Sequence, residues 1–97
     1  MCAVLPISQD EMPEISRFFG IVVAMYYRDH APPHFHALYG DYQAAIEIDS
    51  LDFIEGVLPR RALALVVEWA ILHRRELRAN WNRARLGQPL RPIRPLE

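Results

Sequence analysis

The sequence contains no lysine, one cysteine and four glycines. The single thiol, Cys2, rules out an internal disulfide and fits a reducing, cytoplasmic setting. No uncharged apolar run approaches the ~18 residues that a membrane helix needs, so no membrane association is expected. The N-terminus has neither the basic start nor the small-residue cleavage site of a signal peptide. No motif calls for an organic cofactor, and there is no repeat or low-complexity tract. Half of the 97 residues are apolar, enough for one core and one domain.

Without lysine, all eleven basic residues are arginine. Their distribution is uneven. Residues 1–55 hold nine acids against Arg17 and Arg28, a net −7; residues 56–97 hold nine arginines against Glu68, Glu76 and Glu97, a net +6. The two halves sum to −1.

Periodicity predicts an α+β fold: a small three- or four-stranded antiparallel meander on one long C-terminal helix. Phe18 to Arg28 (FFGIVVAMYYR) is rich in aromatic and β-branched residues and is expected to be a central strand, with Phe19, Ile21, Val23, Met25 and Tyr27 on one face. Asp29-His30-Ala31-Pro32-Pro33 is a rigid loop in which Asp29 or His30 can bond the backbone. His34 to Tyr39 and Tyr42 to Asp49 form a hairpin through Gly40-Asp41, a pair suited to a type II′ turn. That turn sets Tyr39 opposite Tyr42, Ala37 opposite Ala44 and Phe35 opposite Ile46 on a core face. The other face pairs Leu38 with Gln43, His36 with Ala45, and His34 with Glu47. Leu51 to Val57 is a candidate edge strand.

Pro59 suits a first helical turn and Gly87 a stop, so one helix is expected from Arg60 to about Leu86. Its sheet-facing stripe is Ala62, Val66, Trp69, Ala70, His73, Leu77 and Ala84. Leu63, Leu65, Val67, Ile71 and Leu72 widen the apolar surface, which implies a homodimer or a second protein covering this half. Arg60, Arg74, Arg78 and Arg85 share a narrow band, with no acid three or four residues from any helix arginine. Either the acidic first half or water partners them, or they form a phosphate-binding stripe for RNA or an acidic protein. Residues 1–11 read as a leader or a short helix running from Ser8 to Ser16, with Met12 as an alternative start. Residues 12–87 form the domain and 88–97 a proline-rich tail.

The chemistry-bearing residues are His34, His36 and Glu47. Two imidazoles and a carboxylate on one sheet face suit three tasks. One is acid–base catalysis, as in metal-free RNA cleavage, with His34 and His36 exchanging protons and Glu47 orienting His34. Another is metal binding through His34 and His36 with a carboxylate. The third is a purely structural cross-strand pair. His73, Trp69 and Trp81 read as packing residues.

The stretches Met12-Pro13-Glu14-Ile15-Ser16-Arg17-Phe18-Phe19-Gly20, Asp29-His30-Ala31-Pro32-Pro33-His34-Phe35-His36 and Leu58-Pro59-Arg60-Arg61-Ala62-Leu63 closely resemble a bacterial family catalogued as a domain of unknown function. Its members begin near M-P-x-I-x-x-F-x-G and carry D-H-x-P-P-H-x-H. The resemblance implies a role in a toxin–antitoxin-like pair, with a partner encoded nearby. A looser likeness is to HicA-type toxins, small ribonucleases of α-β-β-β-α order, which the chain would match if Ser8 to Ser16 were helical. The leading expectation is a protein that acts through a partner, with a ribonuclease or a metal-binding module as alternatives.

Overall fold

The structure, a computed structural model, describes residues 12–97. The leader and its Ser8–Glu11 portion lie outside the described residues. Five strands form one antiparallel sheet in sequential order: β1 (Glu14–Phe18), β2 (Ile21–Ala24), β3 (His34–Tyr39), β4 (Tyr42–Glu47) and β5 (Phe53–Gly56). Two helices follow, α1 (Arg60–Leu72) and α2 (Arg74–Arg85). No described helix is long and apolar enough to cross a membrane.

The expected strand over Phe18 to Arg28 is two structures. The chain turns at Phe19-Gly20, with φ of 49° and 80°, and Phe18 pairs with Ile21 across the turn. Positive φ at both central residues is the requirement of a type I′ hairpin. Phe19 gives no turn signal because an aromatic residue there bears a steric cost; its ring is 59% exposed. Ile21, Val23 and Met25 keep the expected buried face. Glu14 to Ser16 lie in strand β1, so the expected Ser8–Ser16 helix does not extend over them.

The β3–β4 register is the expected one, from Tyr39↔Tyr42 to His34↔Glu47. In the turn Gly40 takes φ 56° and Asp41 does not take a positive φ, as a type II′ turn requires. Phe35, Ala37, Ala44 and Ile46 are buried, but Tyr39 and Tyr42, beside the turn, are 37% and 49% exposed. Tyr39 instead lines an open cleft with Phe19 and with Arg61, Ala62 and Leu65 of α1, which leaves its ring partly in water.

The single expected helix is divided at His73, whose φ of −122° and ψ of 23° leave helical geometry. Its Nδ1 lies 2.6 Å from Glu76 Oε1 in the first turn of α2. Val66, Trp69, Ala70, Leu77 and Ala84 are buried as the stripe predicts, and Trp69 meets the rings of Phe18 and Phe35. Gly87 ends α2 in a Schellman motif: its N–H bonds Ala84 O, and that of Gln88 bonds Arg83 O.

Residues 88–97 are stitched to the domain. Asn80, almost fully buried, donates to Arg91 O at 2.8 Å and accepts from Arg91 N–H at 2.9 Å. Trp69 Nε1 donates to Arg94 O. Ile93 is buried, and its N–H bonds Ile15 O on the outer edge of β1 at 2.7 Å. One sheet edge is thereby covered, while β5 forms the other and is exposed throughout.

Candidate functional site

The D-H-x-P-P-H-x-H segment builds the site. His34 and His36 alternate on β3 and share a face. The loop before them is held from α2, where Arg28 N–H bonds Ala84 O. Arg28 itself takes φ 55°, and its guanidinium lies against Gly87, where a Cβ would stand 2.6 Å from Nη2. Pro33 O accepts from Ile48 N–H, which extends the sheet up to His34.

Held in this way, the loop brings Asp29 to the rings. Asp29 Oδ2 lies 2.8 Å from His34 Nε2 and 3.5 Å from His36 Nε2. Its other oxygen, Oδ1, accepts from the backbone N–H of His30 at 2.8 Å and lies 3.0 Å from His30 Nδ1. His34 Nδ1 donates to Pro32 O at 2.7 Å. A carbonyl oxygen can only accept, so that bond fixes Nδ1 as a hydrogen carrier and leaves Nε2 facing Asp29 and His36. Trp81 closes over the His34 ring at a centroid distance of 5.1 Å, and Tyr26 meets His36 edge-on at 4.8 Å.

The site is electrostatically polarised. Burial opposes the charge of Asp29, but the His30 N–H and the two imidazoles outweigh it and hold the carboxyl below its ordinary range. The His36 ring is pushed below the usual histidine value, chiefly by burial, with the His34 charge adding to the effect; Asp29 and Glu55 pull the other way. The side chain of His34 is 5% exposed and that of His36 20%. The groups line an open cleft of about 430 Å³ that also includes Tyr27, Arg28, Gln43 and Glu55.

Glu47 stands opposite His34 in the backbone register, yet the carboxylate bonded to the rings is that of Asp29. The Oε1 of Glu47 instead accepts from Ser50 Oγ at 2.5 Å in the turn after β4. Register specifies which Cα atoms face each other; it leaves the side-chain rotamer free to take a nearer donor. The signal for Asp29 was its place in the motif, five residues before His34 and locked to it by two prolines.

The arginine band is divided. Arg74 donates from Nε to Ile48 O and from Nη2 to Asp49 O, each at 3.1 Å. Arg78 donates from Nε and Nη2 to Asp49 Oδ1. The acidic half of the chain therefore engages both. Arg60 and Arg85 are exposed, with no hydrogen bond or ion pair among the described residues.

Residues 20–82 match the pattern of a described family, Domain of unknown function (DUF4160). The chain belongs to that family. The DUF4160 match takes in the whole Asp29–His36 motif and Leu58-Pro59-Arg60, while residues 12–19 lie ahead of it. No curated protein and no solved structure matches the chain.

Proposed function

We propose that this DUF4160 chain is a metal-binding domain whose ion is held by Asp29, His34 and His36. The observation that carries the reading is convergence: Asp29 oxygen and the His34 and His36 nitrogens lie within 4.8 Å of one another, on the face of an open cleft. Two imidazoles and one carboxylate suit Zn²⁺, Mn²⁺ or Fe²⁺ and leave positions for water or substrate. The Nδ1–H of His34 on Pro32 O is the supporting bond that metal-ligating histidines commonly make, and it directs Nε2 inward. Ligand atoms about 2.1 Å from one ion lie about 3.0–3.4 Å apart, so the widest pair must close by about 1.5 Å. Rotation of the partly exposed His36 ring supplies that movement.

The same geometry favours this reading over the metal-independent ribonuclease. That mechanism asks both rings to exchange protons with a substrate, whereas His34 is buried with both nitrogens engaged.

Calorimetric titration of chelator-treated protein with Zn²⁺ and Mn²⁺ tests the proposal. One ion per chain is expected, with a change in tryptophan fluorescence from Trp81 beside His34. His36→Ala and Asp29→Asn, checked for folding by circular dichroism, should abolish it. A flat titration of the parent protein removes the reading.

A second reading, one half of a toxin–antitoxin-like pair, is supported by exposed apolar surface. Ile71 and Leu72 on α1, and Phe53, Ile54 and Val57 at β5, are all uncovered. Co-expression with the product of the neighbouring gene should give one complex; separate elution counts against it.

A further inference from the structure

We propose that Glu55 is a fourth protein ligand of this ion, reaching across Ala45 from β5; the inference rests on the metal reading of the Asp29–His34–His36 site. Ala24, His36, Ala45 and Glu55 form one cross-sheet row, since His36 pairs with Ala24 and with Ala45, and Ala45 pairs with Glu55. Directly paired residues share a face, so the His36 ring and the Glu55 carboxylate rise from the same side of the sheet. They are two strands apart, roughly 9–10 Å between Cα atoms. An imidazole and a glutamate side chain span that distance with an ion between them.

The residue between them is small. Ala45 lines a notch of about 170 Å³ with His36, Gln43, Glu55 and Gly56, and all of these but Gly56 also line the larger cleft beside Asp29 and His34. A leucine or valine at 45 would fill that space.

Two backbone features hold Glu55 over the notch. The β4–β5 ladder shifts register between Ala45 and Ile46, so that Ile46 pairs with Phe53 and Ile54 is the extra residue. Irregularities of this kind re-aim side chains and gather near sites. Gly56 then takes φ 70°, and a Cβ there would stand 2.2 Å from Gln43 O, so only glycine lets β5 lie this close to β4.

The carboxylate is available. Glu55 is exposed and has no hydrogen bond or ion pair among the described residues, whereas Glu14, Asp29, Glu47, Asp49 and Glu76 are all engaged. With Asp29, Glu55 would bring two negative charges to one divalent cation, leaving the centre neutral and suited to a hard or borderline metal with nitrogen and oxygen donors.

The test is Zn²⁺ calorimetry, with Co²⁺ absorption as a second readout, on the parent protein, Glu55→Gln and His36→Ala. Glu55→Gln should keep one site per chain, bind Zn²⁺ roughly 10–100-fold more weakly, and alter the visible Co²⁺ bands, as loss of a ligand does. His36→Ala should lose binding. Parent-like affinity and Co²⁺ bands in Glu55→Gln, with binding lost in His36→Ala, overturn the role of Glu55 while the three-residue site stands. Unchanged binding in both variants overturns the site and Glu55 together.

Discussion

His34 Nε2 and Asp29 Oδ2 share a hydrogen bond of 2.8 Å, and each partner is tied to the loop through its other polar atom, His34 to Pro32 O and Asp29 to the His30 N–H. The loop and the first residue of β3 are thus one unit. Asp29→Asn keeps the shape but removes the charge on that bond. It should cost about 1.5–3 kcal/mol in metal-free protein, measured by urea unfolding, because hydrogen bonds to charged groups have this size. A change under ~0.5 kcal/mol would mean that the pair contributes little to the fold.

Acid should weaken the metal-free protein in two stages. The His36 ring binds a proton less readily folded than unfolded, so its contribution is complete above about 6.5 and declines as pH falls below that value. The Asp29 carboxyl is held low in the fold, so its stability is present above about 3.8 and lost as pH falls through the lowered folded value. Urea midpoints at pH 7.5, 5 and 3, with chelator present, should fall in that order, the last step reporting Asp29. His36→Gln should flatten the first step and leave the second. An unchanged slope in His36→Gln assigns the first step to another group.

Metal should stabilise what it binds. At a hundredfold excess over Kd, about 2.7 kcal/mol is expected. For a domain of this size that raises Tm by roughly 10–20 °C. Chelation should reverse it, and His36→Ala should show no shift at all. An equal shift in His36→Ala would place the ion elsewhere.

Arg74 and Arg78 test whether the arginine band is structural. Arg78 pairs with Asp49 at the surface, so Arg78→Ala should cost at most about 1 kcal/mol and less at high salt. Arg74→Ala should cost more, about 1–3 kcal/mol, because it strips the partner from the partly buried Ile48 carbonyl. If an RNA contact exists on this band, Arg60→Ala and Arg85→Ala are the variants that should weaken it without loss of stability.

Asn80 serves as a backbone mimic for the tail. Asn80→Ala leaves Arg91 N–H and C=O without their partner and should cost about 2–4 kcal/mol. Hydrogen exchange at the Ile93 amide should accelerate far more than at Phe35. Equal protection of Ile93 in the variant would show that Trp69 and the buried Ile93 side chain hold the tail unaided.

The sequence made legible whatever depends on near neighbours. The Gly40-Asp41 turn and two apolar strands gave the β3–β4 register, and Gly87 gave the end of α2, since one glycine conformation decides each. The hairpin at Phe19-Gly20 was hidden because a phenylalanine with positive φ imitates strand composition. His73 breaks the helix while lying within its apolar stripe, so periodicity alone passes over it. Asp29 and Glu47 were exchanged for a related reason. Pairing places Glu47 opposite His34, but the loop that carries Asp29 is aimed by a bond to Ala84, 56 residues beyond Arg28 (84 − 28). An interaction at that separation leaves no trace in strand pairing, and only the local Asp29–His36 motif marks the residue.

The bond between Ile93 and Ile15 has a consequence for the order of folding. It joins residues 78 apart (93 − 15), so Ile15 O lacks this partner until residue 93 has left the ribosome. During that interval a strand from any nascent neighbour can occupy the same position. Crowded synthesis should therefore favour misassembly at β1, and early supply of residues 88–97 as a separate peptide should suppress it.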